Sequence, residues 1–387
     1  MKDEWDAMPL GELCDVLDHK RKPITKRDRD AGEYPYYGAT GVLDHVAGYL
    51  FDEPLVLVGE DGAKWGSGEI TAFAVEGKVW VNNHAHVLRP NRDRLLDRWL
   101  IYHLNHSDLT AFVSGLTVPK LNQGSLREIA VPVPPLPEQR RIVALLDEAF
   151  AGLATAKANA ERNLQNARAL FESQLEAVFS QRRQEWMEVK FEDLIQSNVI
   201  GLTKAKCDQG DGKAWPYVKM NNITSDSRFD ASRFAYVDAT EEEVGKYSLR
   251  DGDFLFNTRN SHELVGKSCI YKSASNVTAL FNNNIMRVRF KAGADAGFVL
   301  LAFSSRCVSD KLNSLKSGTT NVAAIYFKDL KSLAIPIPSV EVQKAIAKKF
   351  EALSEEAQRL TQIYERKLAA LEELKKSLLQ QAFNGEL

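Results

Sequence analysis

Apolar residues follow two different spacings along the chain. Short runs rich in β-branched and aromatic residues, separated by Gly, Asn and Asp, occur at 55–58, 78–81, 253–256 and 285–290. They predict short strands within two mixed α/β segments, residues 1–135 and 186–338. Each segment ends in an alternation of apolar residues and proline. This alternation has to be extended, because proline fixes its own φ and disfavours the helical region for the residue before it.

The segments 136–185 and 339–387 predict two long helices. Pro137 and Ser339 suit a helix start, and Asn384-Gly385 suits a helix end. Apolar positions in the second segment step by fours and threes, as in the seam of a coiled coil, and the first segment has the same register 204 residues earlier. The predicted seam contains Leu146, Leu153, Asn163, Leu170, Phe350, Leu353, Leu360, Lys367, Leu371 and Leu374.

Asn163 and Lys367 are polar and share one heptad position near the middle of each predicted helix. Buried polar seam residues can fix the register of paired helices, and we expect this role here. The alternative is that both side chains extend to solvent. Because the first helix leads the chain away from the first globular part and the second must return, we expect an antiparallel pair with a pseudo-twofold axis.

The chain contains an internal repeat. Residues 126–134 are matched by 330–338, and Gln139 by Gln343, at a spacing of 204 (330 − 126). Trp5 pairs with Trp186 at a spacing of 181 (186 − 5), so the second copy carries about 23 extra residues (204 − 181) in its middle. Val81-Asn82-Asn83-His84 corresponds to Phe281-Asn282-Asn283-Asn284, whereas most neighbouring positions differ. The two copies share a frame and differ in content.

The composition narrows the class of protein. Of 387 residues, 44% are hydrophobic and 26% are charged, with a net charge of −2, so a nucleic-acid surface would have to be a local basic patch. Four cysteines without a CxxC pair predict neither a disulfide frame nor a zinc site. No run of 18 apolar residues and no signal-like start is present. We therefore expect a cytoplasmic protein without a membrane partner.

Two similar but differently filled domains at a fixed separation suggest a reader of two sites on one long ligand, such as double-stranded DNA. Basic, amide and aromatic side chains at the expected loops can contact phosphates and base edges. In the first copy these candidates are Lys20, Arg21, Lys22, Lys26, Arg27, Tyr36, Tyr37, Lys64, Trp65, Asn82, Asn83, His84 and Lys120. In the second copy they are Lys204, Lys206, Lys219, Asn221, Asn222, Arg259, Asn260, Asn283, Thr319, Thr320 and Asn321. For any one of them, the alternative is a solvated charge, a turn asparagine or a core aromatic ring.

The sequence gives little support to a catalytic role. It has no Asn/Asp-Pro-Pro-Tyr motif, which an adenine methyltransferase would need. Val265-Gly266-Lys267-Ser268 is similar to the end of a phosphate-binding loop, but Ser261 stands where the first glycine is required. Glu60, Asp61 and Lys64 lack the spacing of a nuclease site. His84 and His86 have no suitably spaced partner for a metal, so no metal and no catalytic residue is expected.

The run Leu126 to Arg140, Leu-Arg-Glu-Ile-Ala-Val-Pro-Val-Pro-Pro-Leu-Pro-Glu-Gln-Arg, followed by a long helix, resembles the specificity subunit of type I restriction-modification systems. Residues 34–41, 81–88 and 265–268 are also similar to segments of that family. The second copy departs from the pattern, reading Ser339-Val340-Glu341-Val342-Gln343. The resemblance implies an α+β fold in which two target recognition domains are joined by two long antiparallel helices.

The same resemblance implies a function. Each domain would read one half of a bipartite, asymmetric DNA sequence, and the helices would hold two methyltransferase subunits. Those subunits would methylate adenine with S-adenosylmethionine, and a motor/nuclease subunit would join for cleavage, while this chain itself would hold no cofactor. The alternative function is an architectural coiled-coil adaptor whose globular ends bind proteins.

Overall fold

The computed structural model describes residues 5–115, 117–181, 185–273 and 278–387. The chain divides into two compact units. Unit 1 comprises Met1–Asn163 and Tyr364–Leu387, and unit 2 comprises Leu164–Ile363. No helix among the described residues is both long and apolar enough to cross a membrane.

Unit 1 is built on two four-stranded sheets. Its strands are β1 (Ala7–Pro9), β2 (Cys14–Val16), β3 (Ala31–Gly38), β4 (Gly41–Val46), β5 (Phe51–Asp52), β6 (Leu55–Gly59), β7 (Ala72–Val75), β8 (Lys78–Val81), β9 (Ala85–Pro90), β10 (Val113–Ser114), β11 (Lys120–Leu121) and β12 (Ala130–Pro132). Its short helices are α1 (Leu10–Leu13), α2 (Asp97–His106) and α3 (Gln123–Glu128). The sheet orders are β2-β9-β6-β7 and β4-β3-β8-β5, and β3 and β8 run parallel.

The core of unit 1 lies on both faces of β6. Every residue of this strand is buried, as expected for a continuous apolar run in a central strand. On one face, Val56 and Val58 join a cluster with Trp99 and Leu100 of α2. On the other face, Leu55 and Leu57 pack in a second cluster with residues of β8 and β9. The first long helix of the chain, α4, spans Leu136–Ser180.

Unit 2 repeats this plan. Its strands are β13 (Met187–Lys190), β14 (Ile195–Ile200), β15 (Trp215–Val218), β16 (Ala235–Val237), β17 (Phe254–Asn257), β18 (Arg259–Asn260), β19 (Ser268–Ile270), β20 (Leu280–Phe281), β21 (Ile285–Phe290), β22 (Ser317–Gly318), β23 (Ala323–Ala324) and β24 (Ala334–Ile337). Its short helices are α5 (Phe191–Leu194), α6 (Glu241–Tyr247), α7 (Ala296–Ser304), α8 (Arg306–Ser314) and α9 (Phe327–Leu330), and the second long helix, α10, spans Val340–Phe383.

Most strand pairs of the two units correspond to each other. Sheet β14-β21-β17-β19 matches β2-β9-β6-β7, and the antiparallel pair β13-β24 matches β1-β12. The parallel pair β15-β20 matches β3-β8. Strands β18, β22 and β23 form a three-stranded sheet, where unit 1 has the hairpin β10-β11. The internal repeat of the sequence is therefore a repeat of topology.

The long helices run antiparallel within each unit. In unit 1, Ile142 and Leu146 of α4 share a buried cluster with Leu379 and Ala382 of α10. In unit 2, the rings of Phe171 and Phe350 are 5.4 Å apart in an edge-to-face contact. Residue numbers rise along one helix as they fall along the other. The prediction of mixed globular parts with two long antiparallel helices is confirmed.

The predicted seam is wrong at four positions, because Asn163, Leu170, Lys367 and Leu374 are all exposed. Of the other predicted seam residues, Leu146 and Phe350 are buried, and Leu153, Leu353, Leu360 and Leu371 are half-buried. The register role proposed for Asn163 and Lys367 has no support, and the alternative that both reach solvent is correct.

The observed seam follows a longer repeat. Covered positions recur every 11 residues, at Ile142, Leu153, Leu164 and Leu175 in α4 and at Ile346, Ala357, Leu368 and Leu379 in α10. Eleven residues in three turns give about 3.67 residues per turn, near the value of a straight helix, whereas a heptad seam drifts by about 20° per repeat on such a helix. Positions predicted from a heptad repeat therefore shift around the helix surface and leave the interface near the middle of each helix.

Candidate nucleic-acid interface

The same asparagine turn follows the parallel strand pair in each unit. In unit 1, Asn82 Oδ1 accepts a hydrogen bond from the backbone N–H of His84 at 2.8 Å. In unit 2, Asn282 Oδ1 accepts one from the N–H of Asn284 at 2.9 Å. Such Asx turns fix the backbone locally. The first asparagine thus shapes the turn, and the next two residues, 83–84 and 283–284, carry the side chains that are at least partly accessible.

Two other loops of unit 1 are hydrogen-bonded to this turn, one directly and one through the first. The N–H of Glu60, in the loop after β6, donates to the carbonyl of His84 at 2.9 Å. The N–H of Leu121, in the β10-β11 hairpin, donates to the carbonyl of Glu60 at 2.8 Å. His84 Nδ1 lies 2.5 Å from Asp61 Oδ1. Residues from three separate regions of the sequence therefore form one edge, which we call edge 1: loop 60–64, turn 82–84 and the described hairpin residues 113–115 and 117–121.

A buried ionic network supports edge 1. His86 Nδ1 lies 2.6 Å from Asp18 Oδ2, and Lys120 Nζ lies 2.8 Å from Glu60 Oε1. Arg21 pairs with both carboxylates and also donates to the carbonyl of Ala85 at 2.8 Å. The Nε2 atom of His86 is 2.7 Å from the carbonyl of Leu121, so the network also holds the β10-β11 hairpin in place.

The pKa values of both carboxylates in this network are lowered. Burial raises the pKa of Asp18, but the hydrogen bond and charge of His86, the Val87 N–H and the charge of Arg21 outweigh it and hold the pKa below its usual value. Burial likewise raises the pKa of Glu60, but hydrogen bonds from Lys120 and Arg21 lower it further than burial raises it. Asp18, Glu60 and His86 have atoms of metal-ligand type within 4.8 Å of one another. Because Arg21 and Lys120 already balance the carboxylates, we assign this group a structural role.

Several predicted DNA-binding residues of unit 1 are structural instead. Tyr36 is 1% exposed, its hydroxyl accepts from the N–H of Ile24 at 2.9 Å, and the Arg29 guanidinium covers its ring. Trp65 is buried, and its indole N–H donates to the carbonyl of Gly59 at 3.0 Å. Arg21 is held in the ionic network and Asn82 in its turn. These four side chains are buried or bonded inside the unit, which disfavours them as DNA contacts.

The remaining candidates of unit 1 differ in accessibility. Tyr37 is half-buried against the ring of Phe73, and Lys120 is partly exposed although paired with Glu60. Lys64 is largely exposed, 3.6 Å from Glu69. The other candidates are exposed: Lys20, Lys22, Lys26, Arg27, Asn83 and His84. Of these remaining candidates, only Lys64, Asn83, His84 and Lys120 lie on edge 1.

Unit 2 has a basic cleft at the corresponding place. The cleft has a volume of about 460 Å³, and its lining consists of Lys206, Gln209, Lys219, Met220, Asn221, Asn260, Leu264, Lys267, Asn282 and Asn284. It brings together the predicted residues Lys206, Lys219, Asn221 and Asn260, which are far apart in the sequence. None of these ten described residues carries a carboxylate. Three ammonium groups and five amides beside one another can bind phosphate and base edges.

Lys267 also lines the cleft, and the sequence did not single it out as a DNA-binding candidate. Its ammonium donates to the carbonyls of Ile223 at 2.5 Å and Met220 at 3.4 Å. Burial lowers its pKa. Ser268, the next residue, begins strand β19. In a phosphate-binding loop, the residues after the lysine begin a helix. The strand found here therefore agrees with the rejection of such a loop from the sequence.

The other unit 2 candidates lie around the cleft or inside the unit. Asn222 is fully buried, and its side chain binds the main chain of Lys219, Asp230 and Arg233, so its prediction as a DNA contact is wrong. Lys204 is paired with Glu243 at 3.0 Å. Asn283 is half-buried in the asparagine turn. Arg259, Thr319, Thr320 and Asn321 are exposed on or beside the β22-β23 hairpin.

Comparison with known proteins decides the family. The type I restriction modification DNA specificity domain matches residues 2–162 and again 183–369. The chain belongs to this family. The resemblance inferred from the sequence is therefore confirmed, and the two matches agree with the duplicated topology.

Individual relatives agree with the assignment. A putative type I restriction enzyme specificity subunit of Haemophilus influenzae is 37% identical over 144 residues, which cover 37% of this chain and 36% of that protein. The EcoKI specificity subunit of Escherichia coli is 26% identical over 78% of this chain and 68% of its own length. The EcoDI specificity subunit of Escherichia coli is 22% identical over 99% of this chain and 89% of its own length.

Solved structures show the same fold. A chain from a structure that describes complex assembly and conformational transition of the type I restriction-modification system matches with a TM-score of 0.71 at 18% identity, covering 100% of this chain and 99% of that chain. The HsdS subunit from Thermoanaerobacter tengcongensis matches with a TM-score of 0.57 at 17% identity, covering 100% and 98%.

Proposed function

We propose that the chain is the DNA-recognition subunit of a type I restriction-modification complex and reads a bipartite, asymmetric target. Residues 1–135 and 186–338 are the two target recognition domains, each reading one half of the target. Segments 136–185 and 339–387 are the helical spacer that separates the two half-sites. The chain itself carries no catalytic residue in this proposal.

The observation that carries the proposal is a turn that both units share but that presents different side chains in each unit. Asn82 and Asn282 make the same backbone-fixing hydrogen bond, but the residues presented next are Asn83-His84 in one unit and Asn283-Asn284 in the other. Edge 1 surrounds its turn with a neutralised ionic network, whereas the unit 2 cleft surrounds its turn with three lysines. A common frame with different hydrogen-bonding groups suits two domains that read different base sequences.

We further propose that two methyltransferase subunits bind the chain, one for each copy of the repeat. The repeat supports this stoichiometry, because duplicated surfaces offer a partner two equivalent sites. S-adenosylmethionine belongs to the methyltransferase partner. Motor/nuclease subunits complete the assembly where a host provides them, and a methylation-only complex needs none.

Methylation mapping tests the proposal directly. Genome-wide adenine methylation is compared, by single-molecule sequencing, in cells that express the partner methyltransferase with and without this chain. We expect a chain-dependent motif of two short blocks separated by a fixed number of unread bases. The absence of such a motif from cells that contain the assembled complex would favour the architectural adaptor.

A domain exchange tests the division between the two domains. Residues 1–135 are replaced by those of another family member, and the methylated motif is mapped again. We expect one block of the motif to change and the other block to stay the same. A change in both blocks contradicts the assignment of one domain to each half.

A further inference from the structure

Each unit carries a β-hairpin with a glycine in the left-handed region at its tip. The described residues of the first hairpin are 113–115 and 117–121, with strands β10 and β11, and the second hairpin is 317–324, with strands β22 and β23. Ser114-Gly115 and Ser317-Gly318 open the two turns. Gly115 has a φ of +96° and Gly318 a φ of +119°, in the region that favours glycine. A Cβ on either glycine would collide with a valine carbonyl, that of Val118 or Val322.

The valine at each tip is among the most exposed large apolar residues described. Val118 is 64% exposed and Val322 is 68% exposed. The tip of the unit 2 hairpin is closed by the N–H of Thr319, which donates to the carbonyl of Val322 at 2.9 Å. A single exposed apolar residue is common on protein surfaces. What sets these two apart is that the same residue type recurs at the tip of the corresponding hairpin in both units.

Both hairpins are fastened to the candidate interface. In unit 1, Lys120 and Leu121 are bound to Glu60 and His86 of the buried network beneath edge 1. In unit 2, β23 pairs with β18, and Asn260 of β18 lines the basic cleft. The His262 N–H also donates to the carbonyl of Thr320 at 2.9 Å. Each valine therefore lies on a hairpin that is bonded to the candidate interface of its own unit.

The chemistry around the tips favours DNA over a protein partner. The described tip residues, Thr117, Val118 and Pro119 in unit 1 and Thr319–Val322 in unit 2, carry no charge. The adjoining strands and loops contribute the cations Arg259 and Lys316 in unit 2, and in unit 1 Lys120, which is paired with Glu60. Uncharged tips flanked by cations suit a nucleic-acid groove with phosphates along its walls.

We propose that these hairpins are one repeated groove-contacting element, which places Val118 and Val322 against base edges in the two halves of the DNA target. The inference rests on the proposed function and deepens it. The hairpin recurs in both units, whereas most of the candidate interface differs between them. It therefore contacts a feature that the two half-sites share. Apolar contact with base edges or thymine methyl groups meets this description.

The test uses the full chain assembled with its methyltransferase partner and a fluorescent duplex bearing the motif found by methylation mapping. Val118→Ser and Val322→Ser are each expected to weaken binding about five-fold, as for loss of one apolar base contact. The slope of log K against log salt should stay at the wild-type value, because valine neutralises no phosphate. Val342→Ser, a 43% exposed valine at the start of α10, is the matched control and should leave DNA affinity unchanged.

A photo-crosslinking measurement identifies the contacted molecule. A benzophenone amino acid is incorporated at position 118 or at position 322, and the complex is irradiated with the duplex bound. Crosslinks to DNA support the inference. Crosslinks only to the methyltransferase, or assembly lost in the serine variants, overturn it and make the hairpins a protein-docking surface.

The outcomes also separate this inference from the function on which it rests. If the wild-type complex selects its bipartite duplex but both serine variants bind within two-fold of it, the hairpin inference is overturned and the proposed function stands. If the wild-type complex selects no bipartite duplex, the proposed function fails, and the hairpin inference fails with it.

Discussion

Gln139 and Gln343, 204 residues apart, make the same three hydrogen bonds, each inside its own unit. Both side chains are fully buried at the first turns of α4 and α10. Each Oε1 accepts from one backbone N–H and each Nε2 donates to two carbonyls. The partners are Leu96, Arg94 and Pro134 for Gln139, and Asp295, Gly293 and Pro338 for Gln343. The glutamine thus clamps the start of a long helix to the proline segment before it and to the loop before α2 or α7.

Removing either clamp should destabilise its own unit. Gln139→Leu leaves three main-chain groups without their side-chain partner, one of them in a buried and two in partly buried hydrogen bonds, and we expect the free energy of unfolding to fall by about 3 kcal/mol. Gln343→Leu should have the same effect in unit 2. Urea titration measures the loss, and hydrogen exchange identifies the unit that opens. Gln358→Leu, at an exposed position of α10, is the control and should change stability by less than about 0.5 kcal/mol.

The stability of unit 1 should fall in mild acid because of His103. Burial lowers the pKa of His103 to about 4, although a hydrogen bond to the Ala130 carbonyl opposes this. The ring lies 2.9 Å from that carbonyl through Nε2 and packs against Phe383, while Nδ1 is buried without a partner among the described residues. An added proton on Nδ1 would have no acceptor, so the folded unit favours the neutral ring.

The sign of the pH effect follows from the lowered pKa. The unfolded chain takes up a proton near pH 6.5, before the folded chain does, so stability falls as the pH decreases from about 6.5 to about 4. The total loss is at most about 3 kcal/mol, since one pKa unit corresponds to about 1.4 kcal/mol. Urea titrations at several pH values measure it. His103→Gln should flatten this part of the profile, and His19→Gln, at an exposed position, should not. An unchanged profile in the His103 variant would contradict the assignment.

Substitutions in α4 and α10 test the observed seam, and those at Asn163 and Lys367 distinguish it from a heptad seam. Ala160 is 1% exposed, and Ala160→Leu should cost about 1 to 3 kcal/mol because the added atoms have no space. The double variant Asn163→Leu with Lys367→Leu should stay within about 0.5 kcal/mol of the native chain, because both positions are exposed. Thermal unfolding compares the two. A large stabilisation by the double leucine variant would restore the heptad seam.

Lysines of the unit 2 cleft should dominate the salt dependence of DNA binding. Lys219→Gln removes one phosphate-binding charge, and we expect weaker binding and a decrease of about 1 in the magnitude of the log K against log salt slope. Lys272→Gln is the matched control, because Lys272 is paired with Glu351 at 2.7 Å, outside the cleft lining. Anisotropy titrations between about 50 and 200 mM salt provide both slopes. Equal slopes for the two variants would remove Lys219 from the phosphate contacts.

The sequence predicted features that depend on local geometry. Proline positions located the extended segments before both long helices, and the 204-residue spacing revealed the repeat, including Gln139 and Gln343. It could not predict the partners of side chains. Arg21 and Lys22 are neighbours in a basic run, yet Arg21 is paired with Asp18 and Glu60 while Lys22 is exposed. Which charge of such a run folds inward depends on carboxylates that only the tertiary structure brings near.

The ionic network under edge 1 also has a consequence for how the two domains gain affinity. Arg21 and Lys120 are neutralised inside unit 1, whereas the lysines of the unit 2 cleft have no carboxylate among the ten residues lining that cleft. We therefore expect contacts at edge 1 to release fewer counterions than contacts at the unit 2 cleft, and to depend more on shape and hydrogen bonds. As salt rises, the second domain should lose its hold first, so the balance of discrimination shifts towards the first half of the target.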